Sequence, residues 1–212
     1  MTRGHFIAFE GGEGMGKSTQ ARLLADWLQR DGVTVELTRE PGGTPGAEAI
    51  RNLLLSPPGE GWTPEAEALL FAAARTDHVA RRIRPALDAG SWVVCDRFID
   101  SSRAYQAIAG GLGDDKVSQL HRIGSAGLLP DLTLLIDAPN DAVAARLAKR
   151  DGDTSDAIGG RAADYHAAVN AAFRDFANIE PDRFAVIDGS GSIEEVHQQV
   201  VAAISQRFEV TA

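Results

Sequence analysis

The sequence predicts an α/β fold in which a five-stranded parallel sheet is covered by helices on both faces. Short apolar runs of strand length alternate with longer stretches of helical period, which is the pattern of repeated βαβ units. The 212 residues fit one domain, and the chain contains no internal repeat or low-complexity tract. The strand-like runs are residues 5–10, 33–38, 92–95, 132–137 and 183–187.

Helices are predicted between these runs. Thr63 before Pro64 is typical of a helix start, because the threonine can cap the helix and proline suits its first turn. A polar segment, residues 151–160, separates two predicted helices and is either a lid or a plain connection. The predicted helices are residues 17–30, 45–55, 64–89, 101–109, 114–126, 139–150, 161–179 and 193–208.

Composition narrows the classes of function. The formal net charge of −9 argues against a general nucleic-acid binder, since phosphate contacts need a basic surface. No run approaches the roughly 18–20 apolar residues of a membrane helix. The single cysteine, Cys95, lies in an apolar run and is predicted to be a core residue. With no signal-peptide pattern at the start, a cytoplasmic protein without a membrane partner is expected.

A phosphate-binding loop follows the first predicted strand and opens the first predicted helix. Glycines let consecutive backbone N–H groups surround a triphosphate, and the helix N-terminus adds its positive dipole end. Lys17 then supplies a cation to the phosphates, and the Ser18 hydroxyl can bind Mg²⁺. The motif predicts a P-loop NTPase fold that binds ATP, the alternative being a glycine-rich turn. The expected ATP-binding residues are Gly11, Gly12, Glu13, Gly14, Met15, Gly16, Lys17, Ser18 and Thr19.

The third strand-like run ends in Asp96 and Arg97, at the sheet edge where open α/β folds bind ligands. Asp96 is placed to hold Mg²⁺, and Arg97 to bridge the donor and acceptor phosphates. A plain ion pair at the strand end is the alternative. On the helix that follows, Ser101 and Tyr105 are four residues apart, as are Ser102 and Gln106, so that these side chains share one face. They could read a sugar and a base, or could simply belong to a capped amphipathic helix.

Other residues suit a nucleoside monophosphate. Arg39 follows the second predicted strand in a Pro-Gly turn, and Arg51 lies on the next helix. Phe71 and Arg75 are four residues apart on a third helix. A pyrimidine could stack on Phe71 while Arg75 donates to an exocyclic oxygen. A core phenylalanine and a surface arginine are the alternative interpretation.

Taken together, these motifs resemble the thymidylate kinase family, bacterial type. The P-loop is generic, whereas T-R-E-P-G-G-T and D-R-F-x-x-S-x-x-A-Y-Q are specific to this family. They occur in the family's order across nearly the whole chain: F-E-G-G-E-G-M-G-K-S-T at 9–19, T-R-E-P-G-G-T at 38–44, F-A-A-A-R at 71–75, D-R-F-I-D-S-S-R-A-Y-Q at 96–106 and P-D-L-T-L-L-I-D at 130–137.

The resemblance implies a role for each matching residue. Glu13 resembles the carboxylate near the 3′-hydroxyl of the nucleotide, and Tyr105 the ring that excludes a 2′-hydroxyl. Phe71 resembles the ring that stacks on thymine. The family also acts as a homodimer. The remaining implied contacts are Arg39, Arg51 and Arg97 at the acceptor phosphate, Arg75 at O4 of the base, and Ser102 and Gln106 at or near the base edge.

The chain departs from the family in its lid. Members carry an arginine either inside the P-loop or in the lid, but Gly14 and Met15 stand in the loop, and residues 151–160 contain no basic side chain. Where related bacterial chains have Asp-Arg, this one has Asp156-Ala157. We therefore expect Arg150 and Arg161, which flank the lid, to face the phosphates, although both could be solvated helix-end cations.

The sequence thus predicts a kinase that transfers the γ-phosphoryl group of ATP to thymidine monophosphate, with Mg²⁺. Its expected catalytic residues are Lys17, Arg97, Arg150 and Arg161. A kinase for another nucleoside monophosphate or a deoxynucleoside is one alternative. A non-catalytic nucleotide switch is another, although a GTPase version would need an Asn-Lys-x-Asp motif, which the chain lacks.

Overall fold

A computed structural model describes residues 3–139 and 157–210. Its sheet has five strands in the order β2-β3-β1-β4-β5. Every neighbouring pair is parallel, so the predicted fold class is confirmed. The strands are β1 (Phe6–Glu10), β2 (Val35–Arg39), β3 (Trp92–Asp96), β4 (Leu132–Asp137) and β5 (Phe184–Asp188).

The described helices lie within a few residues of the predicted bounds. Thr63 caps its helix as predicted, since its side chain accepts a hydrogen bond from the backbone N–H of Ala66. The predicted helix at 139–150 and most of the lid lie outside the described residues. The helices are α1 (Lys17–Arg30), α2 (Pro45–Leu55), α3 (Pro64–His78), α4 (Arg84–Asp88), α5 (Ile99–Ser102), α6 (Asp114–Ser125), α7 (Ala163–Ile179) and α8 (Ile193–Arg207). None of the described helices is long and apolar enough to cross a membrane.

The central strands are buried on both faces, which explains their continuous apolar character. Alternate residues of β1 point to opposite sides, so Ile7 and Phe9 pack in one core with α1 and α8. Phe6 and Ala8 pack in another with Ile83 and its neighbours. Cys95 belongs to this second core, as predicted, and burial raises the pKa of its thiol well above the ordinary value.

Two helical segments have π rather than α geometry. Val79–Ile83 joins α3 to α4, so the predicted helix at 64–89 is continuous in space but changes its winding. Arg103–Ala109 continues α5 in the same way. There the N–H of Gly110 donates to the carbonyl of Tyr105, five residues earlier, at 2.8 Å. The extra residue per turn means that Tyr105 and Gln106 do not follow the α-helical spacing that the sequence suggested.

Candidate active site

The phosphate loop begins directly after the buried strand β1. Gly11, Gly14 and Gly16 have φ angles of 136°, 72° and 90°, which favour glycine. A Cβ on Gly11 would lie 2.4 Å from the carbonyl oxygen of Ile136, so there is no room for a side chain at this position. No side chain caps the N-terminus of α1, and its first N–H groups are therefore available for an anion.

Lys17 is held across this loop. Its Nζ donates to the carbonyl oxygen of Gly12 at 2.6 Å, and its side chain is almost fully buried. Burial, together with the positive charge of Arg97, lowers the pKa of Lys17 to about 8. An anion at the loop would favour the charged amine, because an opposite charge nearby stabilises it.

Ser18 and Asp96 form a pair of oxygen ligands at the same edge. The Ser18 hydroxyl donates to Oδ2 of Asp96. The other carboxylate oxygen, Oδ1, is buried and accepts no hydrogen bond from any of the described residues. A hydroxyl and a carboxylate fit Mg²⁺, which commonly takes few protein ligands and completes its shell with water and phosphate oxygens. Within the described part of the chain, no group of three or more His, Cys, Asp or Glu residues forms a fuller metal site.

Arg97 has a left-handed backbone, with φ of 69°, which is uncommon for a side chain of this size. Its guanidinium donates to the carbonyl of Gly11 at 3.1 Å, to Ser101 Oγ at 3.0 Å and to Glu13 Oε1 at 2.6 Å. It also lies 5.2 Å from the centre of the Tyr105 ring. Arg97 thus connects the phosphate loop with the helix after β3, and unusual backbone of this kind is frequent at functional sites.

Glu10, at the end of β1, fixes the start of that helix. Its carboxylate accepts hydrogen bonds from the backbone N–H groups of Phe98 and Ser101 and from the Ser101 hydroxyl, at 2.8, 3.0 and 2.6 Å. These contacts satisfy helix N–H groups that no local side chain caps. Burial, and then the negative charge of Asp100, raise the pKa of Glu10 to about 7.

A cavity of about 800 Å³ opens at the carboxyl edge of the sheet. It joins the phosphate loop to the predicted base site, because Lys17 lines one part and Phe71 another. The predicted site residues that line it are Glu13, Gly14, Met15, Gly16, Lys17, Ser18, Thr19, Arg39, Arg51, Phe71, Asp96, Arg97, Tyr105 and Gln106. A single concave site of this size can hold more than one small polar group.

Arg75 and Ser102 contact each other but are not among the residues that line this cavity. The guanidinium of Arg75 donates to Ser102 Oγ at 2.9 Å and to the carbonyl of Phe98 at 3.2 Å. It also pairs with Glu40 at 2.7 Å, where both side chains are only 4% exposed. Arg75 is therefore a buried ion-pair residue rather than a surface arginine.

The two other predicted phosphate arginines, Arg39 and Arg51, also line the cavity. Arg39 pairs with Glu48 at 3.0 Å, where the two side chains are 52% and 39% exposed. Arg51 donates to the carbonyl oxygen of Pro41 at 2.8 Å, which ties α2 to the turn after β2. Arg39 ends β2 and Arg51 lies on α2, so both guanidinium groups come to the cavity wall, where they could meet an acceptor phosphate.

Comparison with known proteins identifies the family of this chain. A family model described as thymidylate kinase matches residues 9–200. The chain belongs to the thymidylate kinase family.

Individual relatives agree with that assignment. The chain is 54% identical to a thymidylate kinase of Rhizorhabdus wittichii, over 95% of this chain and 97% of the relative. It is 47% identical to one of Symbiobacterium thermophilum, over 92% and 90%. A crystal structure of thymidylate kinase from Ehrlichia chaffeensis matches with a TM-score of 0.77 and 34% identity, covering 95% of this chain and 98% of that one.

The structure brings together most of the predicted family residues, but it places Arg161 unexpectedly. Arg161 pairs with Glu67 and donates to the Tyr165 hydroxyl at 2.5 Å. The Tyr165 hydroxyl in turn donates to the carbonyl of Tyr105 at 2.6 Å. In this arrangement Arg161 contacts the residues around the helix after β3, and Arg150 lies outside the described residues. Their role at the phosphates stays a prediction.

Sequence reasoning missed part of the cavity wall. Gly191, Ser192, Ile193 and Val196 line it from the loop after β5 and the start of α8. A signal for this segment was present, since Ser192 and Glu195 form a capping box and mark a helix N-terminus. The cavity is further lined by residues that carried no predicted role: Gln20, Arg22, Glu40, Pro41, Leu55 and Ile158.

Proposed function

We propose that this member of the thymidylate kinase family transfers the γ-phosphoryl group of ATP to thymidine monophosphate, giving thymidine diphosphate for DNA synthesis. The observation that carries the proposal is the position of Arg97. It contacts Gly11 and Glu13 of the phosphate loop on one side and the ring of Tyr105 on the other. A phosphoryl group passing between donor and acceptor would therefore pass along this guanidinium.

The chemistry consists mainly of positioning and charge neutralisation. In this proposal, Lys17 and the N–H groups of α1 bind the donor phosphates. Ser18 and Asp96 would hold Mg²⁺, which would supply positive charge to the phosphates. Arg97 meets the charge that develops on the transferred group, and no covalent intermediate with the protein is needed.

The acceptor is proposed to lie between the arginines and the aromatic wall. Arg39, Arg51 and Arg97 would receive its phosphate, while Phe71 stacks on the thymine ring. Arg75 would donate to the O4 edge, supported by Ser102 and Gln106. Tyr105 and Glu13 would border the sugar, with the ring of Tyr105 crowding a 2′-hydroxyl.

The phosphate loop carries no arginine, so a further positive charge on the transferred phosphoryl group would come from the lid. We propose Arg150 and Arg161 for this role, because developing charge on the phosphoryl group needs neutralisation. Arg161 would then exchange its contact with Glu67 for the phosphates when the nucleotides bind. A lid that only excludes water is the alternative.

The decisive experiment measures ADP release from ATP and Mg²⁺ with each nucleoside monophosphate or deoxynucleoside added separately. Thymidine monophosphate should give the largest kcat/KM. A larger value with another acceptor would identify a different kinase, and slow hydrolysis that no acceptor changes would indicate a nucleotide switch. Omitting Mg²⁺ should abolish transfer.

We also propose that the protein acts in the cytoplasm as a homodimer. The resemblance implies the dimer, and the exposed apolar side chains of Leu69 on α3 and Ile123 on α6 support it, being 55% and 84% exposed on two helices that pack together. Light scattering should give twice the chain mass for the wild type and a lower mass for Ile123→Glu. A monomeric wild type would refute the proposal.

A further inference from the structure

Glu67 is a buried carboxylate to which the proposed function gives no role at the base. It lies in the first turns of α3 and is only 8% exposed. Burying a carboxylate costs free energy unless it is paired or hydrogen-bonded. Here both oxygens are used, because Oε1 accepts from Gln106 Nε2 at 2.8 Å and Oε2 pairs with Arg161.

The contact with Glu67 fixes the orientation of the Gln106 side-chain amide. An amide can present either its donor or its acceptor, and a half-turn of the side chain exchanges them. An ionised carboxylate accepts hydrogen bonds and cannot donate them, so it binds only the NH₂ end. The carboxylate of Glu67 beside Arg161 therefore holds Nε2 of Gln106 on its own side.

The other end of the amide is then available to the cavity. Gln106 lines the cavity wall, on the same site as Phe71. Within the part of the chain that the structure describes, the side-chain hydrogen bond of Gln106 is the one that Nε2 donates to Glu67. With Nε2 turned toward Glu67, Oε1 lies at the other end of the amide and is the acceptor that Gln106 can offer to a bound base.

We propose that Glu67 is a positioning residue for base choice, and this rests on the proposed function. By holding Nε2, it makes Gln106 present Oε1, which can accept from the ring N–H of a thymine or uracil. Cytosine carries an unprotonated, hydrogen-bond-accepting nitrogen at that ring position, and two acceptors facing each other leave both unsatisfied. Glu67 therefore favours keto pyrimidines without touching them.

The test compares Glu67→Gln with Glu65→Gln, an exposed glutamate on the same helix. Neutral glutamine at 67 can donate as well as accept, so it permits the Gln106 amide to turn. The ratio of kcat/KM for thymidine monophosphate to that for deoxycytidine monophosphate should fall about tenfold, because one hydrogen bond of this kind is at stake. An effect through Arg161, which also pairs with Glu67, would act on both acceptors alike and leave the ratio unaltered, and Glu65→Gln should resemble the wild type in every measurement.

A second arm separates positioning from a structural role. In a Gln106→Ala background, Glu67→Gln should leave the substrate ratio unchanged, since the amide that it orients is gone. Equal losses with both acceptors, or an unchanged ratio in Glu67→Gln alone, would overturn the inference. A wild type with no preference for thymidine monophosphate would instead overturn the proposed function itself.

A third measurement needs no variant at position 67. In the ¹⁵N spectrum of the wild type, the side-chain amide of Gln106 can be assigned by its loss in Gln106→Ala. One of its protons should be shifted downfield by the carboxylate and should keep that shift when thymidine monophosphate is added. A free-amide shift before or after addition would contradict the fixed orientation.

Discussion

Replacing Arg75 tests how the acceptor wall is held together. Arg75 and Glu40 are each 4% exposed, and His78 also contacts the Glu40 carboxylate, at 3.0 Å. Arg75→Ala leaves the Glu40 carboxylate buried without its guanidinium partner. Breaking a buried pair by removing one partner typically costs about 3–5 kcal/mol. At roughly 2–4 °C per kcal/mol for a chain of this size, a loss of 3 kcal/mol lowers Tm by about 6–12 °C.

The pH dependence gives a second check on the same variant. In the wild type, burial acts to raise the pKa of Glu40, but Arg75 and His78 outweigh it and lower the pKa below the ordinary value. This carboxylate then stabilises the fold above its unfolded pKa, and the contribution is lost as pH falls through the lowered folded pKa. Without Arg75, burial should prevail and raise the folded pKa, so the deficit in unfolding free energy should be larger at pH 7 than at pH 4.

Arg81→Ala provides a matched control on the same helical segment. Arg81 pairs with Asp77 but its side chain is 71% exposed, and exposed pairs contribute about 0–1 kcal/mol. Urea and thermal unfolding of both variants would make the comparison. Equal stability of Arg75→Ala and Arg81→Ala would refute the reasoning. A consequence for kinetics is that Arg75→Ala should raise KM for thymidine monophosphate more than KM for ATP, measured where the variant is folded.

Three further predictions concern charge at the site. Lys17→Ala should abolish transfer with the fold intact, whereas Lys116→Ala on α6 should leave transfer in place. Because the pKa of Lys17 is about 8 without ligand, the amine should take up protons when ATP binds near pH 8. Calorimetry in buffers of different ionisation enthalpy should detect this uptake. Glu10→Gln should flatten the fall in the free energy of unfolding between about pH 4.5 and pH 7. The raised folded pKa of Glu10 favours the fold at low pH, and that contribution is lost as pH rises through the folded pKa. An unchanged pH profile in the variant would exclude Glu10 as the source of the fall. Arg150→Ala or Arg161→Ala should lower kcat by at least about tenfold with acceptor KM little changed, as expected for a contact made in the transition state. Wild-type kcat in both single variants and in the double variant would mean that the lid only excludes water.

The apolar pattern predicted the fold to within a few residues. Strands at 92–95 and 132–137 were visible because both faces of a central parallel strand are buried, which gives a continuous apolar run. The P-loop was equally visible, since its glycines, Lys17 and Ser18 are consecutive in the chain. Chemistry that depends on neighbours in sequence can be read from the sequence.

Contacts between distant segments were not predictable in the same way. The pairing of Glu67 with Gln106 joins residues 39 positions apart, and no spacing rule connects them. The role of Glu10 in starting the helix after β3 depends on β1 and β3 lying side by side, and it links residues 91 apart. The π turn at Arg103–Ala109 likewise shifts Tyr105 and Gln106 from the positions that α-helical spacing implies.

The sequence by itself determined the sheet, the phosphate loop and the residue types at the sheet edge, because each depends on local periodicity or on a contiguous motif. Tertiary structure decided which side chains meet there. It placed Arg75 on Glu40 and Arg161 on Glu67, since a buried guanidinium must pair with whichever carboxylate the packing of helices brings within reach. That choice is made by the three-dimensional arrangement of elements far apart in the chain.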